Sequence, residues 1–221
     1  MQGRRHHTVL GVLLVAGLAA VFCLPFLTQA PNRLLSGVGV PVAEVIAGPR
    51  RWALTPVLFL LAAALRPPSG HRMRWLTLVG ATSLLGGLTW LAGTHARALL
   101  SEDMPLGRTS LGSGYWVLAV LCGLAMAEAL QGWTRHAWLS LAGSAVFVAP
   151  VAVLVWQGHL DALSLMKEYD NRRDVFDAAL QRHLLLVGAT LLPTVLIGVP
   201  LGVLAARRAR IQPALLSVLN L

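Results

Sequence analysis

What most limits the folds open to this chain is a set of six apolar blocks separated by arginine-bearing segments. The blocks are Thr8 to Leu27, Trp52 to Leu65, Trp75 to Leu91, Tyr115 to Leu130, Trp138 to Trp156 and Leu184 to Ala206. An α-helix rises about 1.5 Å per residue and the hydrocarbon core of a bilayer is about 30 Å thick, so roughly 20 apolar residues make a span. Helices also satisfy their own backbone hydrogen bonds, which lipid cannot do for them. The first, fifth and sixth blocks are long enough, while the third and fourth must recruit flanking residues. The second has fourteen residues between Arg51 and Arg66, so it crosses only if both arginines snorkel or the bilayer thins locally. The expected fold class is therefore all-α: a polytopic transmembrane helical protein with about six spans.

Composition supports this reading. Hydrophobic residues make up 56% of the 221 positions and charged residues only 12%, which is too apolar for an ordinary soluble domain. The formal net charge of +9 would raise the question of nucleic acid in a soluble protein, but 17 of the 18 basic residues are Arg and nearly all fall between the blocks. They read as membrane-surface anchors, with no basic run interleaved with aromatics. Trp52, Trp75, Trp90, Trp116, Trp133, Trp138 and Trp156 all lie at or close to block ends, as an aromatic belt would, whereas core tryptophans of a soluble bundle would also occupy block centres. Cys23 and Cys122 sit inside apolar blocks and read as small hydrophobes, implying neither a disulfide framework nor a metal site.

Alternating loops set the expected orientation. One set of segments carries Arg4, Arg5, Arg66, Arg72, Arg74, Arg135, Arg207, Arg208 and Arg210. The other set carries the same number of basic residues over roughly twice as many positions, mixed with acids such as Glu102, Asp103, Asp161 and Asp170. The denser set belongs in the cytoplasm, which puts both termini inside and long loops at 28–51, 92–114 and 157–182 outside. Arg4 and Arg5 before an apolar run also fit a cleaved signal peptide, but the run is long for one, and the block is expected to stay as a span.

Chemistry-bearing motifs are few. There is no Walker loop, nucleophile elbow, zincin pair or paired-cysteine motif, so no catalytic, cofactor-binding or metal site is expected. The histidines His6, His7, His71, His95, His136, His159 and His183 all flank blocks. Glu128 is the one acid within a block. An intramembrane carboxylate is a functional suspect, but its place near the block end favours snorkelling or pairing with Arg135. The loop from Gly158 to Arg182 alternates acids and bases with apolar residues and reads as two short amphipathic helices, with Asp174 capping the second and Asp177 at its third position. Block six carries Pro193, Gly198, Pro200 and Gly202, a pattern for a bent, tightly packed helix.

From Arg182 to Ala205 the sequence RHLLLVGATLLPTVLIGVPLGVLA, followed by ALLSVLNL at 214–221, resembles the opening helix of binding-protein-dependent ABC importer permeases of the glycine betaine/choline class. Three further stretches are similar to an osmoprotectant permease subfamily with an extra N-terminal membrane region: APNRLLSG at Ala30 to Gly37, RTSLGSG at Arg108 to Gly114, and LSLMKEYDNRRDVF at Leu163 to Phe176.

The resemblance implies a bacterial inner-membrane transport subunit that is not itself an enzyme. Its implied partners are an ATP-binding subunit, a second permease subunit and a periplasmic solute-binding protein. It implies a membrane extension of about five helices over 1–156, an extracytoplasmic elbow over 157–182 and the start of the permease core over 183–221. Such permeases continue for several more helices, so stopping at Leu221 implies the N-terminal part of a longer frame. Arg108, Ser110, Gly112, Lys167, Glu168, Arg172 and Arg173 are the residues expected either to line the outer face where the binding protein docks or to brace the core. The alternative is a membrane scaffold or sensor that transports nothing.

Overall fold

The computed structural model describes residues 2–32, 34–46, 48–65, 70–99, 107–131 and 137–207. It divides into two compact units, Met1–Glu168 and Tyr169–Leu221. All six apolar blocks are helical over most of their length, and they fall in α1 (Gln2–Cys23), α3 (Pro56–Leu65), α4 (Gly70–Ala98), α5 (Ser113–Leu130), α6 (Ala137–Trp156) and the run α8 (Arg173–Pro193) to α9 (Val199–Arg207). Short pieces complete the chain: β1 (Leu27–Ala30), β2 (Val38–Val40), α2 (Val42–Val45), a 3-10 stretch (Gly48–Leu54), β3 (Arg108–Leu111) and α7 (Ser164–Asn171).

Among the described residues, four helical stretches are long and apolar enough to cross a membrane: Arg72–Ala98, Ser113–Leu130, Trp138–Trp156 and Arg173–Arg207. The apolar part of α1, Thr8–Cys23, is shorter. So is α3, whose ten residues rise only about 15 Å, half the hydrocarbon core. The local reason is Pro56. A proline pushes the residue before it out of the α region, and Trp52 to Leu54 wind instead into the 3-10 stretch. Thr55 closes that stretch with its amide and hydroxyl both donating to Trp52 O, at 3.1 and 2.8 Å.

The first unit is built around α4, which packs against α3, α5, α6 and the 3-10 stretch. Glycines set how closely these neighbours approach. A Cβ on Gly87 would stand 2.5 Å from Ala53 O, and one on Gly93 would stand 2.6 Å from His159 O. Helix α5 buries Tyr115, Leu118, Cys122, Ala125 and Ala129, a three-four spacing that makes one stripe. Its other faces carry Trp116, Val117, Val120 and Leu124, all exposed. A helix that is apolar on its outer faces as well fits hydrocarbon surroundings, not water.

Two of the buried hydroxyls on α4 are satisfied locally, whereas the buried Thr82 hydroxyl has no partner among the described residues. Thr77 donates to Met73 O and Thr89 to Leu85 O, at 2.9 and 2.8 Å, and Thr89 also meets the Tyr115 hydroxyl at 2.9 Å. The tryptophans follow the expected belt: Trp52, Trp75, Trp90, Trp116, Trp138 and Trp156 are all exposed, and Trp133 lies outside the described residues. Cys23 is exposed, Cys122 is buried, and both are free thiols.

The second unit holds α8 and α9 joined by a π-helical turn, Thr194–Gly198, that lies between Pro193 and Pro200. A proline withholds the donor its turn needs, and a π turn is one way to absorb that loss. None of the residues of α8 or α9 is buried. The elbow differs from expectation here. Only α7 is a separate short helix, and the second amphipathic piece is the first part of the 21-residue α8, because no helix breaker separates it from block six. Asp174 is not the cap. Arg172 holds that place without a side-chain cap bond, and Asp174 lies inside the first turn, where its charge still complements the helix dipole. Asp177 lies beyond the third position and pairs with Arg173 at 3.6 Å, while Tyr169 Oη donates to it at 3.0 Å.

Candidate functional site

The clearest cluster of polar and backbone contacts in the first unit is a clasp at one end of the helix bundle. Its base is a three-stranded antiparallel sheet in the order β2-β1-β3. Leu27 pairs with Val40 on one side and with Leu111 on the other, and Ala30 pairs with Arg108. The sheet is rooted in the bundle by the amides of Gly112 and Gly114, which donate to Phe26 O and Pro25 O at 2.9 and 2.8 Å. Phe26, just before β1, and Leu27, its first residue, are fully buried. On the turn between β1 and β2, the Asn32 carboxamide oxygen accepts from the amides of Leu34 and Leu35 at 2.8 and 3.0 Å, the arrangement by which asparagine stabilises a tight turn.

The segment after α6 closes the clasp from the other side. Helix α6 ends in Gly158 at φ 67°, with Gly158 N donating to Val155 O and His159 N to Leu154 O, both at 2.9 Å. This double bond pattern around a left-handed glycine is the Schellman end. It sends His159 back onto α4, where its ring stacks on Trp90 with centroids 6.1 Å apart. His159 Nε2 lies 3.2 Å from Trp90 O and 3.1 Å from Thr94 Oγ1. A carbonyl oxygen only accepts, so Nε2 carries the proton in this contact. Arg97 donates to Gly158 O at 2.7 Å and fixes the same turn.

Helix α7 then docks on β3. Leu163 forms a parallel bridge with Thr109, Ser164 Oγ donates to Thr109 O at 3.0 Å, and Lys167 Nζ donates to Gly107 O at 3.3 Å. Arg108 and Glu168 form an ion pair at 3.3 Å, with side chains 22% and 36% exposed. At that exposure the pair adds little stability, about 0 to 1 kcal/mol, but fixes register.

Of the outer-loop residues singled out above, the structure brings Arg108, Ser110, Gly112, Lys167 and Glu168 into this clasp. Ser110 faces outward on β3, and Gly112 is buried where the backbone of Pro25 and Phe26 leaves no room for a side chain. Arg172 and Arg173 are exposed at the start of the second unit. Pro193 ends α8, Gly198 closes the π turn, and Pro200 and Gly202 lie in α9. A Cβ on either glycine would meet nothing within 4 Å.

Sequence reasoning passed over Thr94, Arg97, Thr109 and Ser164 as parts of this site. Their partners lie 55 to 65 residues away along the chain, and no short motif records such pairings. Glu128 is half-buried on α5, and a pairing with Arg135 falls outside the described residues. Among the described residues, no group of three His, Cys, Asp or Glu side chains converges as metal ligands do. What the clasp offers is a braced, hydrogen-bonded face.

Helices that are apolar on their outer faces, exposed tryptophans and four stretches long and apolar enough to cross a membrane define the class: a membrane-integral, all-α protein. Within it, a family model described as ABC transporter permease YehY, N-terminal domain, matches residues 5–166. The chain belongs to that family. No curated protein and no solved structure matches it. An ABC permease is a transport subunit and not an enzyme, and it works with an ATP-binding subunit.

Proposed function

We propose that this chain forms the N-terminal membrane region of a bacterial inner-membrane permease that imports glycine betaine or related osmoprotectants. In this reading 1–156 is the membrane extension, 157–182 the extracytoplasmic elbow and 183–221 the opening of the permease core. Both termini lie in the cytoplasm, and the clasp faces outward. A periplasmic binding protein delivers the solute to a path completed by a second permease subunit, and ATP hydrolysis by a separate subunit drives entry.

The observation that carries the reading is the family match over 5–166, which ends two residues before the boundary of the first compact unit. An apolar stretch with the glycines and prolines of a permease core helix follows. The choice of solute rests on the likeness of Arg182 to Ala205 to the glycine betaine/choline class.

The test is radiolabelled glycine betaine uptake in cells lacking other osmolyte importers, with the full permease frame that contains this chain, the second permease subunit, the ATP-binding subunit and the binding protein supplied. Uptake that disappears with a hydrolysis-dead ATPase is the expected result. Reversing Arg172 and Arg173 to Glu is expected to lower uptake several-fold at unchanged membrane abundance, and unchanged uptake removes their docking role. No uptake of quaternary ammonium solutes, with every subunit present in the membrane, overturns the assigned solute.

A further inference from the structure

The first unit contains a cavity of about 460 Å³ between α1, α3, α4 and α5, and every residue lining it is Leu, Val, Ala, Gly or Cys. It is not sealed. Val15 and Leu18 line it and are 70% and 60% exposed, so it opens sideways to whatever surrounds the bundle. Helices α4 and α5 are long and apolar enough to cross a membrane, and once they do, the surroundings at that depth are hydrocarbon. Helix α3, which contributes Val57, Leu60 and Leu61 to the lining, has ten residues and is shorter than α4 and α5. An apolar void that stays empty forfeits the dispersion contacts of its lining, and water gains nothing there without polar partners.

We propose that this groove seats one acyl chain of a membrane phospholipid, with its phosphate held at Arg51. Three observations select this occupant. The first is length: the lining on α1 runs from Leu10 to Val21, about 17 Å along the helix axis, and one leaflet contributes about 15 Å of hydrocarbon. The second is chemistry: among the described residues, no polar side chain lines the groove, so it offers its contacts to plain hydrocarbon.

The third is charge at one end. Leu54 lines the groove and ends the 3-10 stretch that carries Arg51 three residues earlier. Side chains three apart eclipse in a 3-10 helix, so the exposed Arg51 lies on the same face of that stretch as the groove's Leu54, next to Trp52, which is 70% exposed. Arginine and tryptophan at a helix end mark headgroup depth, and arginine there attracts anionic lipid.

The full chain, reconstituted in phosphatidylcholine vesicles with a trace of phosphatidylglycerol bearing a photoactivatable diazirine in one acyl chain, provides the test. After irradiation, peptides are mapped for lipid adducts. Adducts are expected to concentrate on 10–21 and 118–125, several-fold above α6, although α6 is more apolar and more exposed than α5. Two groove-filling changes, Gly17→Leu from α1 and Leu121→Phe from α5, are each expected to bring adducts there down to the α6 level. A Cβ on Gly17 has ordinary contacts, 3.7 Å to Leu118 and Leu121, so the first change adds bulk to the groove without a backbone clash. If one variant fails to fold, the other and the wild-type adduct map decide. Arg51→Ala is expected to lower adducts from the phosphatidylglycerol probe several-fold and from a phosphatidylcholine probe as well, because both lipids carry the phosphate that Arg51 holds. Adducts spread evenly over all exposed helices, adducts untouched by groove filling in folded variants, or labelling indifferent to Arg51→Ala would each overturn the proposal.

Discussion

Gly158 shows how one residue determines where the clasp closes. Its φ of 67° lies where a side chain costs about 1 to 2 kcal/mol, and a Cβ there would also meet Asp161 Oδ2 at 2.7 Å. Gly158→Ala is therefore expected to destabilise the first unit by at least about 1 kcal/mol, seen as a lower unfolding midpoint in detergent micelles. An unchanged midpoint would mean that the turn tolerates another conformation. Arg108 sits at the other extreme. Its partner Glu168 is half-buried, so Arg108→Ala is expected to cost less than about 1 kcal/mol, and the same unfolding assay should barely register it.

Among the elements, α4 carries the most consequence. Its glycines let the 3-10 stretch and the His159 turn approach its backbone, and the replacement of Gly93 by Val would drive a Cβ to within 2.6 Å of His159 O. Overpacking of that kind costs about 1 to 3 kcal/mol, so Gly93→Val is expected to loosen the clasp, read as faster hydrogen exchange at the amides of 158–168. Equal protection in the variant would contradict the packing described.

The helices were legible in the sequence because apolar blocks bounded by Arg and Trp announce themselves over 14 to 23 residues. The sheet was not. Strands of four, three and four residues are too short to show alternation, and β1 finds β3 some 80 positions away. The shortness of α3 was half legible: the sequence marks its block as short, but only the 3-10 winding ahead of Pro56 reduces it to ten residues.

For the whole molecule, the three segments expected outside from charge density each contribute to the same end of the bundle. Leu27 to Val40, Arg108 to Gly112 and Gly158 to Glu168 meet in the clasp. That convergence is what alternating loops require, and it could not be read from spacing, since charge patterning assigns sides but not neighbours. The candidate site was legible to the same extent: Arg108, Gly112 and Glu168 stood out by resemblance, whereas Thr109, Ser164 and Arg97 emerge only from contacts.

The central proposal is that this end is the permease's outer, partner-facing end. It is tested most directly by cysteine accessibility in whole cells. With Cys23→Ser and Cys122→Ala removing both native thiols, single cysteines are placed at Leu34 and Ser110 on the clasp and at Arg74 near the opposite end of α4. A membrane-impermeant maleimide is expected to label Leu34→Cys and Ser110→Cys in intact cells, and Arg74→Cys only after the cells are opened. Labelling of Arg74→Cys in intact cells with the other two protected would contradict the account.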